Sequence, residues 1–369
     1  MMLIGILALV ALAVAVYNRC GWPVLGPGPQ QGTAPGTVSI LIPARNESLN
    51  LTGCLRAALA QGSAVREILV YDDHSTDDTA GILRAQAAAH PLIRAVPPRP
   101  LPEGWLGKTY ACSQLADAAA GEWLLFIDAD ARLEPGAAAT LVRAARERDW
   151  TLLAAWPGLE MKSFWEKVLM PLLNLVVFTS FPAPLALRDR RPSLGLAHGA
   201  CLLVHRREYL RLGGHGVVRR EFFEDTLLAR TWRHRGEAGG CLDGQRVMKV
   251  RMYHHFSEIW HGFAKITRTS FRSVFSFWLF WAVHAAVFLV PFIVLAAHAA
   301  GGRLHLWAGI ACGVVLLIRL LQSLQFRYPV WAILLHPLAE ILLLGLVLQT
   351  GLRHRQGVAW KGRVYARST

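Results

Sequence analysis

The chain has 369 residues, a hydrophobic fraction of 53% and a formal net charge of +14. Its mean hydropathy of +0.33 is high for a soluble protein, and the uneven spread of that excess excludes an ordinary soluble single-domain protein. The six cysteines stand apart with no CxxC spacing, which excludes a zinc ribbon or a disulfide framework and points to reduced, mostly buried thiols.

Residues 1–17 carry no charged side chain, and Arg19 follows them. That charge order predicts a retained membrane anchor over 1–20 with Arg19 on the inner side. A Gly/Pro-rich linker over 21–36 leads into the folded part. Apolar strand-like runs at 38–42, 67–71, 93–96, 123–128 and 151–156 then alternate with helix-like stretches at 47–60, 78–89, 109–120 and 135–148. Such alternation predicts an α/β fold with a doubly wound, mostly parallel sheet.

The run at 123–128 ends on Asp128-Ala129-Asp130. In an open α/β sheet ligands bind beyond the carboxyl ends of the strands, and extended backbone lets the two carboxylates share one side. Two hard oxygen ligands suit Mg²⁺ or Mn²⁺, with water and phosphate oxygens completing the shell. Taken alone, the pattern also fits a solvated turn closing a strand. Two more polar clusters fall at strand ends, Pro43-Ala44-Arg45-Asn46-Glu47 and Asp72-Asp73-His74-Ser75-Thr76-Asp77-Asp78. Arg45 can meet a phosphate bidentately, and a carboxylate can accept hydrogen bonds from a base or ribose. Helix capping by Ser75 or Thr76 is the plain alternative. It leaves Asp72 and Asp73 unexplained.

Beyond Pro157 the pattern changes. Residues 163–181 are too apolar for a surface helix and contain Pro171; they fit an interfacial helix beside a lipid or a buried core helix. A strand is expected at 198–204, a turn at Gly213-Gly214-His215, and a helix start at Glu221-Phe222-Phe223-Glu224-Asp225-Thr226. Acidic residues there also answer the helix dipole. Residues 253–272 have helical spacing and basic flanks, as an interfacial helix would. Apolar segments at 273–302, 304–318 and 328–352 predict membrane helices over 273–352, followed by a basic tail at 353–369. Lys265, Arg268 and Arg272 precede these segments, and Arg353, Arg355, Lys361, Arg363 and Arg367 follow them. Basic residues so placed favour anionic lipid over nucleic acid as the partner.

Four ordered segments carry a resemblance: Val38-Ser39-Ile40-Leu41-Ile42-Pro43-Ala44-Arg45-Asn46-Glu47, Asp72-Asp73-His74-Ser75-Thr76-Asp77, Asp128-Ala129-Asp130 and Glu224-Asp225. Together, over about 38–265, they resemble the family 2 glycosyltransferases of GT-A fold. Gly104-Trp105-Leu106-Gly107-Lys108 and Trp360-Lys361-Gly362-Arg363-Val364-Tyr365 are similar to the membrane-bound subgroup of carotenoid (diaponeurosporenoate) and hopanoid-associated glycosyltransferases. The family commonly has Gly where His74 stands. A Gln-x-x-Arg-Trp motif is replaced here by Trp260-His261-Gly262-Phe263-Ala264-Lys265, which weakens a processive reading.

The resemblance implies a Rossmann-like GT-A domain over 37–252 with membrane helices at both ends. It implies Pro43, Arg45 and Glu47 at the nucleotide end, Asp73 on the base, Asp128 at the ribose or sugar, and Asp130 on a Mg²⁺ or Mn²⁺ bridging the diphosphate. Lys108 stands where members approach the nucleotide-sugar with a basic residue, and a solvated loop lysine is the alternative. Asp225 takes the place of the general base of an inverting transfer. His198 and His215 are candidates to touch the acceptor. The implied reaction moves a sugar from a nucleotide-sugar, a UDP-sugar in the first instance, to a carotenoid, hopanoid or other isoprenoid lipid. The implied location is the cell membrane, multi-pass, with the catalytic domain cytoplasmic and no nucleic-acid partner. The alternatives are a processive polysaccharide synthase and a catalytically inactive membrane scaffold. A cytoplasmic catalytic domain and a cytoplasmic basic tail together require two effective crossings after Arg272. The segment expected not to cross is 304–318, short of the ~20 residues of a span and followed by Arg319. Glu340, inside an apolar run, is expected to face protein or water.

Overall fold

The computed structural model describes residues 1–26, 36–271, 273–352, 358–360 and 363–365. Most of the expected linker and basic tail lie outside these residues. The chain forms two compact units, one built from Pro23–Glu160 and Leu185–Met252, the other from Met1–Trp22, Met161–Pro184 and Tyr253–Thr369.

In chain order the elements are helix α1 (Met2–Gly21), β1 (Val38–Ala44), α2 (Leu51–Leu59), β2 (Val65–Asp72), α3 (Thr79–Ala89), β3 (Ile93–Val96), α4 (Gly107–Ala118), β4 (Trp123–Ile127) and β5 (Ala131–Leu133). Then come α5 (Ala137–Arg146), β6 (Leu152–Trp156), β7 (Gly158–Leu159), α6 (Phe164–Leu169), α7 (Pro171–Ser180), α8 (Ala183–Arg188), β8 (Cys201–His205), α9 (Arg206–Leu212), α10 (Glu224–His234), β9 (Gly239–Asp243) and β10 (Met248–Val250). The chain continues through α11 (Phe256–Thr269), α12 (Val274–Phe288), α13 (Val290–Ala300), α14 (Leu306–Phe326), α15 (His336–Leu352) and a short antiparallel pair, β11 (Val358–Trp360) and β12 (Arg363–Tyr365).

Seven strands of the first unit make one sheet in the order β3-β2-β1-β4-β8-β6-β9. All five side chains of β4 are buried, as a strand covered on both faces requires. Pairing of β1 with β2 sets Ala44 beside Asp72, and pairing with β4 sets Leu41 beside Phe126. This register brings the carboxyl ends of three parallel strands to one edge. The expected parallel order is broken once, because β8 runs antiparallel to both β4 and β6. A continuous apolar run buries equally well in either direction, so hydrophobicity does not encode the reversal. The core beneath the sheet is aliphatic, with Ile40, Ile42, Leu55, Leu125, Leu141, Leu153 and Leu203 inaccessible to solvent. Of the six cysteines Cys20 is exposed and the other five are buried; all six are free.

Among the described residues of the second unit three helices are long and apolar enough to cross a membrane: Met2–Gly21, Leu306–Phe326 and Val330–Leu352. A fourth candidate is the α12–α13 pair, bent by 43° at Leu289. The length argument against 304–318 therefore fails. Arg319 does not end the helix; it is 1% exposed, and its Nη1 donates to Gln322 Oε1 at 2.8 Å one turn on. Gln322 in turn donates to the carbonyl of Pro171 at 2.7 Å. Glu340 faces protein, as expected, with Oε2 3.0 Å from His284 Nε2. The break between α12 and α13 falls where Pro291 supplies no N–H, and His336 Nε2 donates to the Phe288 carbonyl at 3.0 Å. Residues 163–181 form α6 and α7, separated at Met170 with Pro171 opening α7, and Leu172, Leu175 and Phe178 are buried. Helix α6 opens on a capping box between Ser163 and Glu166.

Candidate active site

The site grows from the carboxyl edge of the sheet. The loops after β1 and β2 are tied together by their own polar atoms. Nη1 of Arg45 donates to the carbonyls of Asp73 and His74, and Thr76 N donates to Asn46 Oδ1 at 2.8 Å. Asp77 accepts from Ser48 N and from Thr79 N, each at 3.0 Å. Burial of Asp77 works against its charge, yet the hydrogen bonds from Thr79 and Ser48 outweigh it and hold the carboxyl down at about 2. The helix cap expected from Ser75 or Thr76 is absent. Asp78 stands at the N-cap of α3 without a side-chain cap bond, and Asp77 binds the first amide instead. His74 has φ of +54°, which explains why Gly suits this position: an L side chain is strained in the left-handed region.

Five of the sequence-chosen residues meet in one cavity, lined by Pro43, Lys108, Asp128, His215 and Asp225 together with Glu224 and Gly199. Lys108 projects from the first turn of α4, Asp128 follows β4, Gly199 precedes β8, and Glu224 and Asp225 open α10. Lys108 Nζ lies 2.8 Å from Asp128 Oδ1 and 2.9 Å from Glu224 Oε1. Burial opposes the ammonium's charge, but Asp128 and Glu224 overcome it and hold the pKa well above the ordinary lysine value. Asp225 Oδ2 accepts from Gly199 N and Oδ1 from Thr226 N, both at 2.6 Å. Burial first and the Glu224 charge second push the Asp225 carboxyl up to about 7, against the lowering effects of Lys108 and the two amides.

Arg45, Glu47, Asp73 and Asp130 do not line this cavity. Asp73 is buried, with its amide donating to the Ala44 carbonyl at 2.8 Å. Glu47 N donates to Thr79 Oγ1 at 2.8 Å, and its carboxylate accepts from Asn50. The Asp130 carbonyl accepts from Arg251 N at 3.3 Å. His215 is buried in structural contacts, its Nδ1 2.7 Å from the Tyr209 hydroxyl, and burial lowers its pKa to about 3. His198 Nδ1 accepts from Ala200 N at 3.2 Å, and burial lowers this ring to about 4. Both rings are neutral near pH 7.

Sequence reasoning missed Glu224 as a partner of Lys108, having taken it for a dipole response, and missed the Gly199 amide. The only available signal was a second carboxylate beside Asp225. A side chain at Gly199 would crowd the site, since a Cβ there would sit 2.9 Å from Lys108 Nζ and 3.3 Å from Asp225 Oδ2.

The residues present fit a divalent cation of one kind only. Among the described residues no three His, Cys, Asp or Glu side chains gather as a cage. The hard oxygens of Asp128 and Asp130 instead match a Mg²⁺ or Mn²⁺ held by one or two carboxylates plus substrate phosphates and water.

Residues 39–210 match the family model described as glycosyl transferase family 2. The 4,4'-diaponeurosporenoate glycosyltransferase of Staphylococcus aureus (strain MRSA252) is 25% identical over 342 residues, covering 89% of this chain and 88% of its own length. The namesake from strain bovine RF122 / ET3-1 gives the same identity and coverage over 343 residues. Among solved structures the chain is similar to the mannosyltransferase PcManGT from Pyrobaculum calidifontis, determined in complex with GDP-Man and Mn²⁺. That likeness has a TM-score of 0.52 at 17% identity and covers 93% of this chain and 98% of the other.

Proposed function

We propose that this chain, whose residues 39–210 match the glycosyl transferase family 2 model, is a membrane-anchored, inverting glycosyltransferase of GT-A fold acting on a hydrophobic acceptor. The observation that carries the reading is Asp225, a half-buried carboxylate pushed up to about 7 that lines the same cavity as Asp128. A base so tuned is about half ionised at neutral pH, and its carboxylate form is basic enough to take a hydroxyl proton. Asp225 holds its place through the amides of Gly199 and Thr226 and accepts the acceptor's proton as the new bond forms. Lys108 presents its ammonium to the departing diphosphate. Asp128 faces the sugar or ribose, and Arg45, Glu47 and Asp73 shape the nucleotide end. A divalent cation at Asp130, when bound, neutralises charge on the diphosphate.

The acceptor is a carotenoid, hopanoid or other isoprenoid lipid. The name of the Staphylococcus aureus relatives supports this class, as do the apolar helices at both ends of the chain. Nucleotide-sugars are made in the cytoplasm, so the catalytic unit faces that side of a multi-pass protein. Inverted, cytoplasm-out vesicles given a panel of nucleotide-sugars, UDP-sugars first, should form a glycolipid detectable by mass spectrometry. Sealed right-side-out vesicles should form none. Product in sealed right-side-out vesicles refutes the orientation. Water-soluble oligosaccharide as the only product refutes the acceptor class.

A further inference from the structure

One ammonium serves two carboxylates from distant parts of the chain. Lys108 Nζ reaches Asp128 Oδ1 at 2.8 Å and Glu224 Oε1 at 2.9 Å. Asp128 closes β4 on the donor side, and Glu224 is the neighbour of Asp225. The Gly199 backbone lies against this cluster, where a Cβ would be 2.9 Å from Nζ, 3.3 Å from Asp225 Oδ2 and 3.5 Å from Glu224 Oε1. Among the described residues lining the cavity, Asp128, Glu224 and Asp225 are the acids, and Lys108 is the cation that faces them.

We propose that Lys108 couples donor arrival to the base, standing as counter-ion to Asp128 until a diphosphate draws its ammonium away. Three acids against one cation leave the cavity negative, so a diphosphate enters against like charge. It gains by taking the ammonium from Asp128, and the released Asp128 then serves a sugar hydroxyl or the cation at Asp130. Glu224 keeps its hold on Nζ through the exchange. The ammonium thus stays close to Asp225 rather than following the diphosphate out. No bond is made or broken; a single ion pair changes partners.

This inference rests on the glycosyltransferase reading, and its test needs no sugar transfer, so failure of either is seen separately. The full-length protein in detergent is titrated with Mn²⁺ alone and with Mn²⁺ plus inorganic pyrophosphate, and bound Mn²⁺ is read by electron paramagnetic resonance. Lys108→Met should tighten Mn²⁺ alone by about fivefold or more, the low end of what one nearby charge is worth. The same variant should bind pyrophosphate more weakly, and Lys108→Arg should restore both behaviours. Glu224→Gln leaves Lys108 to Asp128 alone, so Mn²⁺ alone should bind no more tightly than to the parent protein. A lysine that merely supports the fold would weaken both ligands together. That result, or Mn²⁺ affinity unchanged in Lys108→Met, overturns the proposal. Should Lys108→Met not fold, tighter binding of Mn²⁺ alone by Glu224→Gln overturns it as well.

Discussion

Replacing Asp225 by Asn should lower turnover by roughly 10²–10⁴-fold, the usual worth of a general base, while nucleotide binding survives. The substitution removes basicity and almost no volume, and an amide can still accept a hydrogen bond from Gly199 N, the contact that places the side chain. The parent protein should show an acid limb in kcat/KM near the Asp225 value of about 7, because only the carboxylate accepts a proton. Activity therefore falls as pH drops below 7 and levels off above it. Asp225→Asn should lose that limb along with the rate. Near-normal turnover in Asp225→Asn, or an acid limb that persists unchanged in the variant, would place the base elsewhere.

Chelation should have an effect of similar size. EDTA should abolish transfer, with Mn²⁺ or Mg²⁺ restoring it, and Asp130→Ala should resist rescue by either ion. The physical ground is the excess of acid over base in the cavity, where a diphosphate meets Asp128, Glu224 and Asp225 with Lys108 as the facing cation. Substrate-bridged ions of this class need only one or two protein carboxylates. On the proposed reading Asp130, two positions beyond Asp128, would be one of them. Transfer at full rate in excess chelator removes the metal from the account, and an Asp130→Ala protein rescued by Mn²⁺ moves its ligand to another residue.

The strands were legible because each is a short apolar run bounded by turn residues, and even the weak strand β3 lies where the pattern puts it. The edge of the sheet followed from order alone: parallel strands put Arg45, Asp73 and Asp128 at the same end. The reversal of β8 was not legible, since burial looks the same from either direction. Nor was the pairing of Lys108 with Glu224. It depends on α4 and α10 opening toward one point, and sequence spacing carries no such information. Arg319 misled for a different reason. A charge usually marks the edge of an apolar helix, but a glutamine one turn away and a carbonyl beyond it can keep an arginine inside. Residues 163–181 were readable as too apolar for a surface, while their grouping with α1 and the carboxyl-terminal helices arises from tertiary packing.

Asn18 sets a constraint on how the chain can be made. It is 1% exposed, and its amide donates to the carbonyls of Phe178 and Phe181 and accepts from Ala183 N. The first of those partners lies 160 residues downstream. At a synthesis rate of 5–20 residues per second, α1 waits about 8–30 s before its asparagine can be satisfied. During that interval most of the sheet is synthesised while the first helix, already apolar enough to enter a bilayer, lacks the partners that Asn18 holds in the folded chain. Translation slowed between α1 and α7 would lengthen the exposure, whereas Asn18→Leu would remove the need to wait but also the bonds that later close the unit.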